Sequence, residues 1–403
     1  MTGYTGTGTS YRPPRYAPQR GAVGRLLSRE SPLRRMDWLL VLAALALSGI
    51  GSLLVWSATR SRTEINHGDP QYFLVRHLLN LAIGVGLCGA VVLTGHHRLR
   101  TAAPFLYILA VLGVLAVLSP LGSTVNGAHS WIVLGGGFSV QPSEFCKIAI
   151  ILGMATLLSA RVDAGEQTHP DGRSIARSLA LAAVPIGVIL LMPDLGSTMV
   201  MVVIILGVLM ASGAPRTWLF GLIVVGTAGA FAVVQLHLLK QYQIARFAAF
   251  ADPALDPAGV GYNTAQARIA IGSGGLMGKG LFHGTQTTGQ FVPEQQTDFV
   301  FTVAGEELGF IGAGLIILLL GVILWRGCRI ARLASDLYST IVAAGVVAWF
   351  GFQAFENIGM TLGIMPVAGI PLPFVSYGGS SMFAIWIGIG LLQSVKMQRA
   401  LGA

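Results

Sequence analysis

The sequence predicts an all-α fold, a polytopic integral membrane protein of about ten transmembrane helices. Three observations lead there. The 403 residues are 53% hydrophobic and only 11% charged, with a mean hydropathy of +0.69; a soluble domain carries about 25% charged residues. The apolar residues form runs of the length that crosses a bilayer, about 20 residues. Arg and Lys gather at the ends of those runs. The net charge of +9 therefore points to lipid headgroups and topology, not to nucleic acid.

Residues 1–35, rich in Gly, Thr, Pro and Arg, cannot bury a core and read as a disordered basic cytoplasmic tail. Arg25, Arg29, Arg34 and Arg35 hold this end inside. The remainder, 36–403, reads as a single transmembrane domain. Its first run is long enough to span and reads as a signal anchor, not a cleaved signal peptide. The runs cover 37–57, 73–94, 101–119, 143–160, 175–192, 195–212, 215–236, 299–325, 337–359 and 379–395. An even number places both termini in the cytoplasm. Arg98, Arg100, Arg216, Arg326, Arg329, Arg332, Lys396 and Arg399 fall on inner segments, whereas 120–142 and 360–378 carry no Lys or Arg. Arg60 and Arg62 in the first outer loop dissent. This topology leaves 237–298 as one large extracellular loop. Tyr242, Phe247, Phe250, Tyr262, Phe282 and Phe291 give it apolar side chains with which to fold back onto the mouth of the bundle. Cys88, Cys146 and Cys328 are isolated and the histidines scattered, so neither a disulfide framework nor a metal site is expected.

Asp298 stands where the polar loop meets the eighth run. Read as one helix, 299–325 rises about 40 Å, and Thr302, Gly305, Gly309 and Gly312 share the face of Asp298. That small face could admit a bulky ligand. The plain alternative is a GxxxG packing stripe with Asp298 as a helix cap. Ionisable residues inside a span cost about 2.5–3.5 kcal/mol each, so Glu144, Lys147, Asp194, Glu306, Glu307 and Glu356 must pair or face a polar cavity. Glu144 and Lys147 are i, i+3 neighbours: an ion pair, or a cavity wall in which Lys147 binds an anion. Asp194 reads as a turn or cap residue at a membrane edge. GSGGLMGKG at 272–280 fails the spacing of a nucleotide phosphate loop. Its N–H groups, with Arg246, Arg268 and Lys279, could still meet a phosphate. Residues 357–381 are rich in Gly and Pro, carry no charge, and offer the hydroxyls of Ser376, Tyr377, Ser380 and Ser381; such irregular backbone must face protein or water.

These stretches together resemble the SEDS family (shape, elongation, division and sporulation). Asn357, Gly363, Pro366 and Gly369, followed by Phe374-Val375-Ser376-Tyr377-Gly378-Gly379-Ser380-Ser381, match its signature. Gly127-Ala128-His129-Ser130-Trp131-Ile132 and Gln141-Pro142-Ser143-Glu144 are similar to its second outer loop and fourth span, and Pro193-Asp194-Leu195-Gly196 fits as well. Pro293-Glu294-Gln295-Gln296-Thr297-Asp298-Phe299 resembles the segment bearing its essential aspartate, with Gln296 where many members have His. The run Ile269–Gly275, with Gly278-Lys279-Gly280 and His283-Gly284-Thr285-Gln286, resembles the elongation branch, RodA, more than the division branch, FtsW.

The resemblance, covering about 37–398, implies a peptidoglycan glycosyltransferase of the bacterial cell membrane. Its substrate would be lipid II, the undecaprenyl-pyrophosphate-linked disaccharide-peptide, and its partner a class B penicillin-binding protein transpeptidase. Asp298 would be the general base. Trp131, Gln141, Glu144, Lys147, Asp194, Arg246, Arg268, Lys279, Glu306, Ser376 and Ser380 are the expected substrate-binding residues. No organic cofactor is implied, and a divalent cation stays open. Two other readings are a lipid II transporter, which the buried charges would suit and the lack of an inverted repeat of broken helices would not, and a membrane scaffold for the transpeptidase. Polymer formation by purified protein separates them.

Overall fold

The computed structural model describes residues 35–402 apart from 67, 126–127, 136–137, 193, 237–243, 245, 247–249, 253–255 and 257–258. The expectations for the tail before residue 35, and for Gly127, Pro193, Tyr242 and Phe247, lie outside the described residues. The helices of eight or more residues are α1 (Trp38–Thr59), α2 (Tyr72–Thr94), α3 (His96–Val117), α4 (Pro142–Asp163), α5 (Gly172–Leu190), α6 (Leu195–Ala211), α7 (Arg216–Gln235), α8 (Val260–Ser273), α9 (Val300–Glu307), α10 (Gly309–Arg332), α11 (Leu337–Leu362) and α12 (Gly379–Gly402). Eight of these, α1 to α5 and α10 to α12, are long and apolar enough to cross a membrane; α6 and the Arg216–Gly229 part of α7 are shorter apolar helices. The departure from all-α is a small antiparallel meander between α3 and α4: β1 (Gly122–Val125), β2 (Ala128–Gly135) and β3 (Phe138–Val140).

Local chemistry sets the helix starts. Asp37, Asp171, Asp194 and Asp336 each accept a backbone N–H at the N-terminus of α1, α5, α6 and α11, satisfying donors that the first turn leaves unpaired. Pro142 opens α4, where its missing N–H costs nothing. The centre of the bundle is α11, packed against α4, α6 and α10, while α12 lies along α2. Trp349, Phe350, Phe374 and Trp386 are buried there.

Nine of the ten expected runs each coincide with one helix. The eighth does not. The stretch 299–325, expected as one helix, is α9 and α10, broken at Leu308–Gly309, where Gly309 has φ +67°. A right-handed helix cannot continue through that conformation. The break frees the carbonyls of Glu306 and Glu307 and the N–H groups of Phe310 and Ile311. All four are re-bonded by the glycine-rich stretch 272–280: Lys279 N donates to Glu306 O (3.0 Å), Gly280 N to Glu307 O (3.0 Å), Phe310 N to Gly275 O (2.9 Å) and Ile311 N to Leu276 O (3.2 Å). In hydrocarbon each of these groups, left unpaired, would cost several kcal/mol. The contact is backbone on backbone. A Cβ at Gly278 would strike the Glu307 carbonyl, and one at Gly309 would strike the Gly278 nitrogen. The glycines of GSGGLMGKG therefore close a broken helix rather than cradle a phosphate. The small face below Asp298 dissolves with the break: Gly305 is covered by Ile271 of α8, and Gly309 by the glycine-rich turn.

Candidate active site

Asp298 is delivered by a tight turn. Glu294 has φ +50°, and its carbonyl accepts the N–H groups of Thr297 (3.2 Å), Asp298 (3.1 Å) and Phe299 (3.2 Å). The stretch between α11 and α12 grips this turn from the other side. Ser376 Oγ donates to Thr297 O and accepts from Leu372 N; Tyr377 N donates to Gln296 O at 2.8 Å; Asn357 Nδ2 of α11 bonds Asp298 O and Ile370 O, both at 2.8 Å. Within the gripping stretch Phe374 has φ +67°, held edge-on between Phe350 and Trp386. Such backbone costs about 1–3 kcal/mol and persists only where the surroundings enforce it. Two strained residues thus flank one aspartate whose main chain is fixed.

The Asp298 side chain is free of that task. The cap position of α9 is Phe299, without a side-chain cap bond, so the helix-cap alternative does not hold. The carboxyl is half-buried and faces Gly369, where a Cβ would lie 3.3 Å from Asp298 Oδ2 and 3.9 Å from Arg246 Nη2. Burial, then the nearby Glu294 carboxylate, push its pKa up to about 7 against the pull of Arg246 and Thr297. An aspartate of that proton affinity can take a proton at neutral pH.

The expected substrate-binding residues separate into three sets. Arg246 reaches Ala368 O at 3.4 Å, and with Arg268, Phe250, Thr264 and Met365 it lines a cavity of about 150 Å³; Arg246 links that cavity to the Asp298 carboxyl across Gly369. Gln141, Asp194 and Ser380 form a second cluster. Asp194 accepts from Ser197 N (3.0 Å), Gln141 Nε2 (3.3 Å) and Ser143 Oγ (3.4 Å), and Gln141 N donates to Ser380 Oγ at 2.9 Å. The Asp194 charge reaches Asp298.

The third set has other work. Lys279 is not with the two arginines. It pairs with Glu306 at 2.8 Å, whose oxygens also accept from Gln286 N, Thr287 N and Thr287 Oγ1, each at 2.8 Å. Glu306 therefore folds the 279–288 stretch and faces no open cavity. Its neighbour Glu307 accepts from Ser57 Oγ at 2.7 Å. Glu144 and Lys147 are paired at 2.6 Å with side chains 2% and 0% exposed, and Lys147 also donates to Gln353 Oε1 at 3.1 Å. That is the ion-pair reading; the anion-binding wall fails because no part of the ammonium reaches solvent. Trp131 stands on β2 opposite Ser123, and among the described residues no side-chain bond joins it to Asp298.

Sequence reasoning passed over Gln353, which accepts from Lys147 and from Trp349 Nε1 and donates to Pro371 O. The signal was an uncharged amide inside an apolar run. It also gave Glu294 and Thr297 no role of their own. Among the described residues no group of three or more His, Cys, Asp or Glu could hold a metal ion.

The model of the FtsW/RodA/SpoVE family of cell cycle proteins matches residues 37–401. The chain belongs to that family. Stage V sporulation protein E of Bacillus subtilis (strain 168) is 37% identical over 361 residues, 89% of this chain and 96% of that one. Peptidoglycan glycosyltransferase MrdB of Escherichia coli (strain K12) is 34% identical over 365 residues, 90% of this chain and 94% of that one. Among solved structures, a chain of a "peptidoglycan synthase complex" described as coordinating polymerization and crosslinking has a TM-score of 0.74 at 30% identity, covering 90% of this chain and 98% of that one. Asn357, Ser376 and Tyr377, three of the residues that carry the sequence resemblance, grip the Asp298 turn.

Proposed function

We propose that this protein is a peptidoglycan glycosyltransferase of the bacterial cell membrane, polymerising lipid II into glycan strands with Asp298 as the general base. The observation that carries the reading is a carboxyl of raised proton affinity on a clamped main chain, with Arg246 and Arg268 lining the adjoining cavity. Asp298 takes the proton of the acceptor sugar hydroxyl. That oxygen attacks the anomeric carbon of the donor, the bond to the lipid pyrophosphate breaks, and the configuration inverts to a β-linkage. Attack opposite the leaving group needs a base and no enzyme nucleophile. Arg246 and Arg268 stabilise the charge that gathers on the leaving pyrophosphate. A cavity of about 500 Å³, walled by Leu106, Gly113, Ile132, Pro142, Phe145 and Ile387 among other apolar side chains, suits the isoprenoid tail.

In this reading 36–403 is the membrane domain after the 1–35 tail, both termini are cytoplasmic, and 237–298 is outside with Asp298 at the outer interface. The partner is a class B penicillin-binding protein, a pairing supported by the likeness to a chain of a synthase complex. Elongation is the process served, on the strength of the 269–286 stretch. Purified protein given lipid II in detergent is the direct test. Polymer is expected, and its absence from a folded, partner-bound preparation would leave transport as the better reading.

A further inference from the structure

The apolar runs of α10 and α12 both end on basic residues, and some of these surround a hollow. Arg326, Arg329 and Lys396 line a cavity of about 90 Å³, with Asp37 at the start of α1 and the apolar side chains of Ile330 and Leu333 among its walls. Arg326, Arg329, Ile330 and Leu333 are spaced i, i+3, i+4, i+7 and so run down one face of α10 to its cap. One side of the cavity is fixed. The buried Asp37 carboxylate accepts Arg326 Nε at 2.9 and 3.1 Å. Asp37 N donates to Gln393 Oε1 of α12 at 2.8 Å, and Gln393 Nε2 donates to Asp37 O at 2.9 Å. These bonds tie α1, α10 and α12 together and leave two cations over. Neither Arg329 nor Lys396 has a hydrogen bond or ion pair among the described residues, although Lys396 is half-buried. Three cations against one carboxylate give the cavity an excess of two positive charges. The chain before Asp37 offers little counter-charge, since residues 1–35 hold seven arginines and one acid, Glu30.

The place of the cavity says what supplies the missing charge. Arg326 stands 17 residues beyond the break at Gly309 on α10, about 25 Å at the rise of an α-helix. The cavity therefore lies at the headgroup plane opposite the one nearest Asp298. The exposed Trp325 has the Arg326 guanidinium over its ring at 5.4 Å, an aromatic where the membrane meets water. We propose that this cavity binds the phosphate of an anionic phospholipid from the adjoining leaflet. Arg329 and Lys396 meet the phosphate oxygens through charge-assisted bonds, and Ile330 and Leu333 cover the glycerol and the first methylenes. Basic pockets between membrane helices take lipid headgroups in this way. Topology alone asks for no such hollow: Arg98 and Arg332 are exposed basic residues at inner run ends and line no part of it. The site takes no part in glycosyl transfer and does not depend on the role of Asp298.

The test titrates the full-length protein in detergent with phosphatidylglycerol or phosphatidylcholine, counting bound lipid by native mass spectrometry and following thermal unfolding. Phosphatidylglycerol should bind and raise the unfolding temperature, as a ligand of the folded state does; phosphatidylcholine, with a phosphate but no net charge, should not. Arg329→Gln/Lys396→Gln removes two cations and no described bond, and should weaken phosphatidylglycerol binding about tenfold or more. Arg98→Gln/Arg332→Gln loses the same charge outside the cavity and should bind as wild type, as should Arg329→Lys/Lys396→Arg, which keeps both charges. An equal fall in the two glutamine variants would mean diffuse attraction to a basic surface and would overturn the site. Equal binding of the two lipids would overturn it as well, as would a fall in the charge-keeping variant as large as in Arg329→Gln/Lys396→Gln. Millimolar inorganic phosphate that stabilises the protein as well as phosphatidylglycerol does would make the ligand a free anion and overturn the lipid assignment.

Discussion

At the scale of single residues, proton affinity is the property to measure. Asp298, with its pKa near 7, should give a polymerisation rate that climbs with pH and reaches half its plateau close to that value. The same shift appears in stability. The folded protein holds the Asp298 proton more tightly than the unfolded chain, whose carboxyl titrates near 3.8. The stability this adds is whole below about pH 4 and is lost as pH rises through about 7. Asp298→Asn should flatten that part of the stability profile and, at pH 8, unfold at no lower temperature than wild type. A second contrast separates the cations. Arg268→Ala should raise the KM for lipid II about tenfold or more, the worth of a charge-assisted bond, with little change in unfolding. Lys279→Ala should instead lower stability by about 1–3 kcal/mol, because it removes the one cation bonded to the buried Glu306 among the described residues; unfolding and initial rates on the two variants check both. The sequence made Asp298 legible because an acid stood alone at the edge of an apolar run. It could not distinguish Lys279 from Arg268, because the partner of Lys279, Glu306, is 27 positions away in sequence.

At the scale of elements, the broken helix is the informative case. An apolar stretch with five glycines reads equally well as a continuous helix or as two, since composition does not report the sign of φ. Only the companion stretch 272–280, with donors and acceptors to spare, reveals where the freed groups of residues 306–311 go. Gly309→Ala should destabilise the protein by more than about 1–2 kcal/mol, the cost of the left-handed conformation alone, because the new Cβ also strikes Gly278. Gly314→Ala, in open space on the same helix, should be near neutral. Thermal unfolding of the two variants side by side gives the comparison, and equal stability would contradict the clasp. A local reading succeeded at Asp194, expected as a turn or cap residue and found accepting Ser197 N at the start of α6; it failed at Asp298, which also stands at a run boundary and caps no helix.

At the scale of the whole molecule, nine apolar runs became helices where expected, because about 20 apolar residues in a bilayer have few other ways to satisfy their backbone. The distant pairings were not legible: that α11 and the stretch after it would close over the Asp298 turn depends on contacts between residues about 60 to 80 apart. The proposed topology predicts that a single cysteine at Gly259 is labelled by an impermeant reagent from outside intact cells; labelling only after permeabilisation would invert the arrangement. The central claim is that a clamped turn presents Asp298 as the base of a polymerase, and one comparison tests it most directly. Polymer made from lipid II is measured for wild type and Asp298→Asn, each shown to be folded in the same detergent. Asn keeps the size and the hydrogen bonding but cannot accept the proton, so the variant should lose about 10²–10⁴-fold in rate while unfolding like wild type. An Asp298→Asn protein that polymerises at close to the wild-type rate would contradict the account.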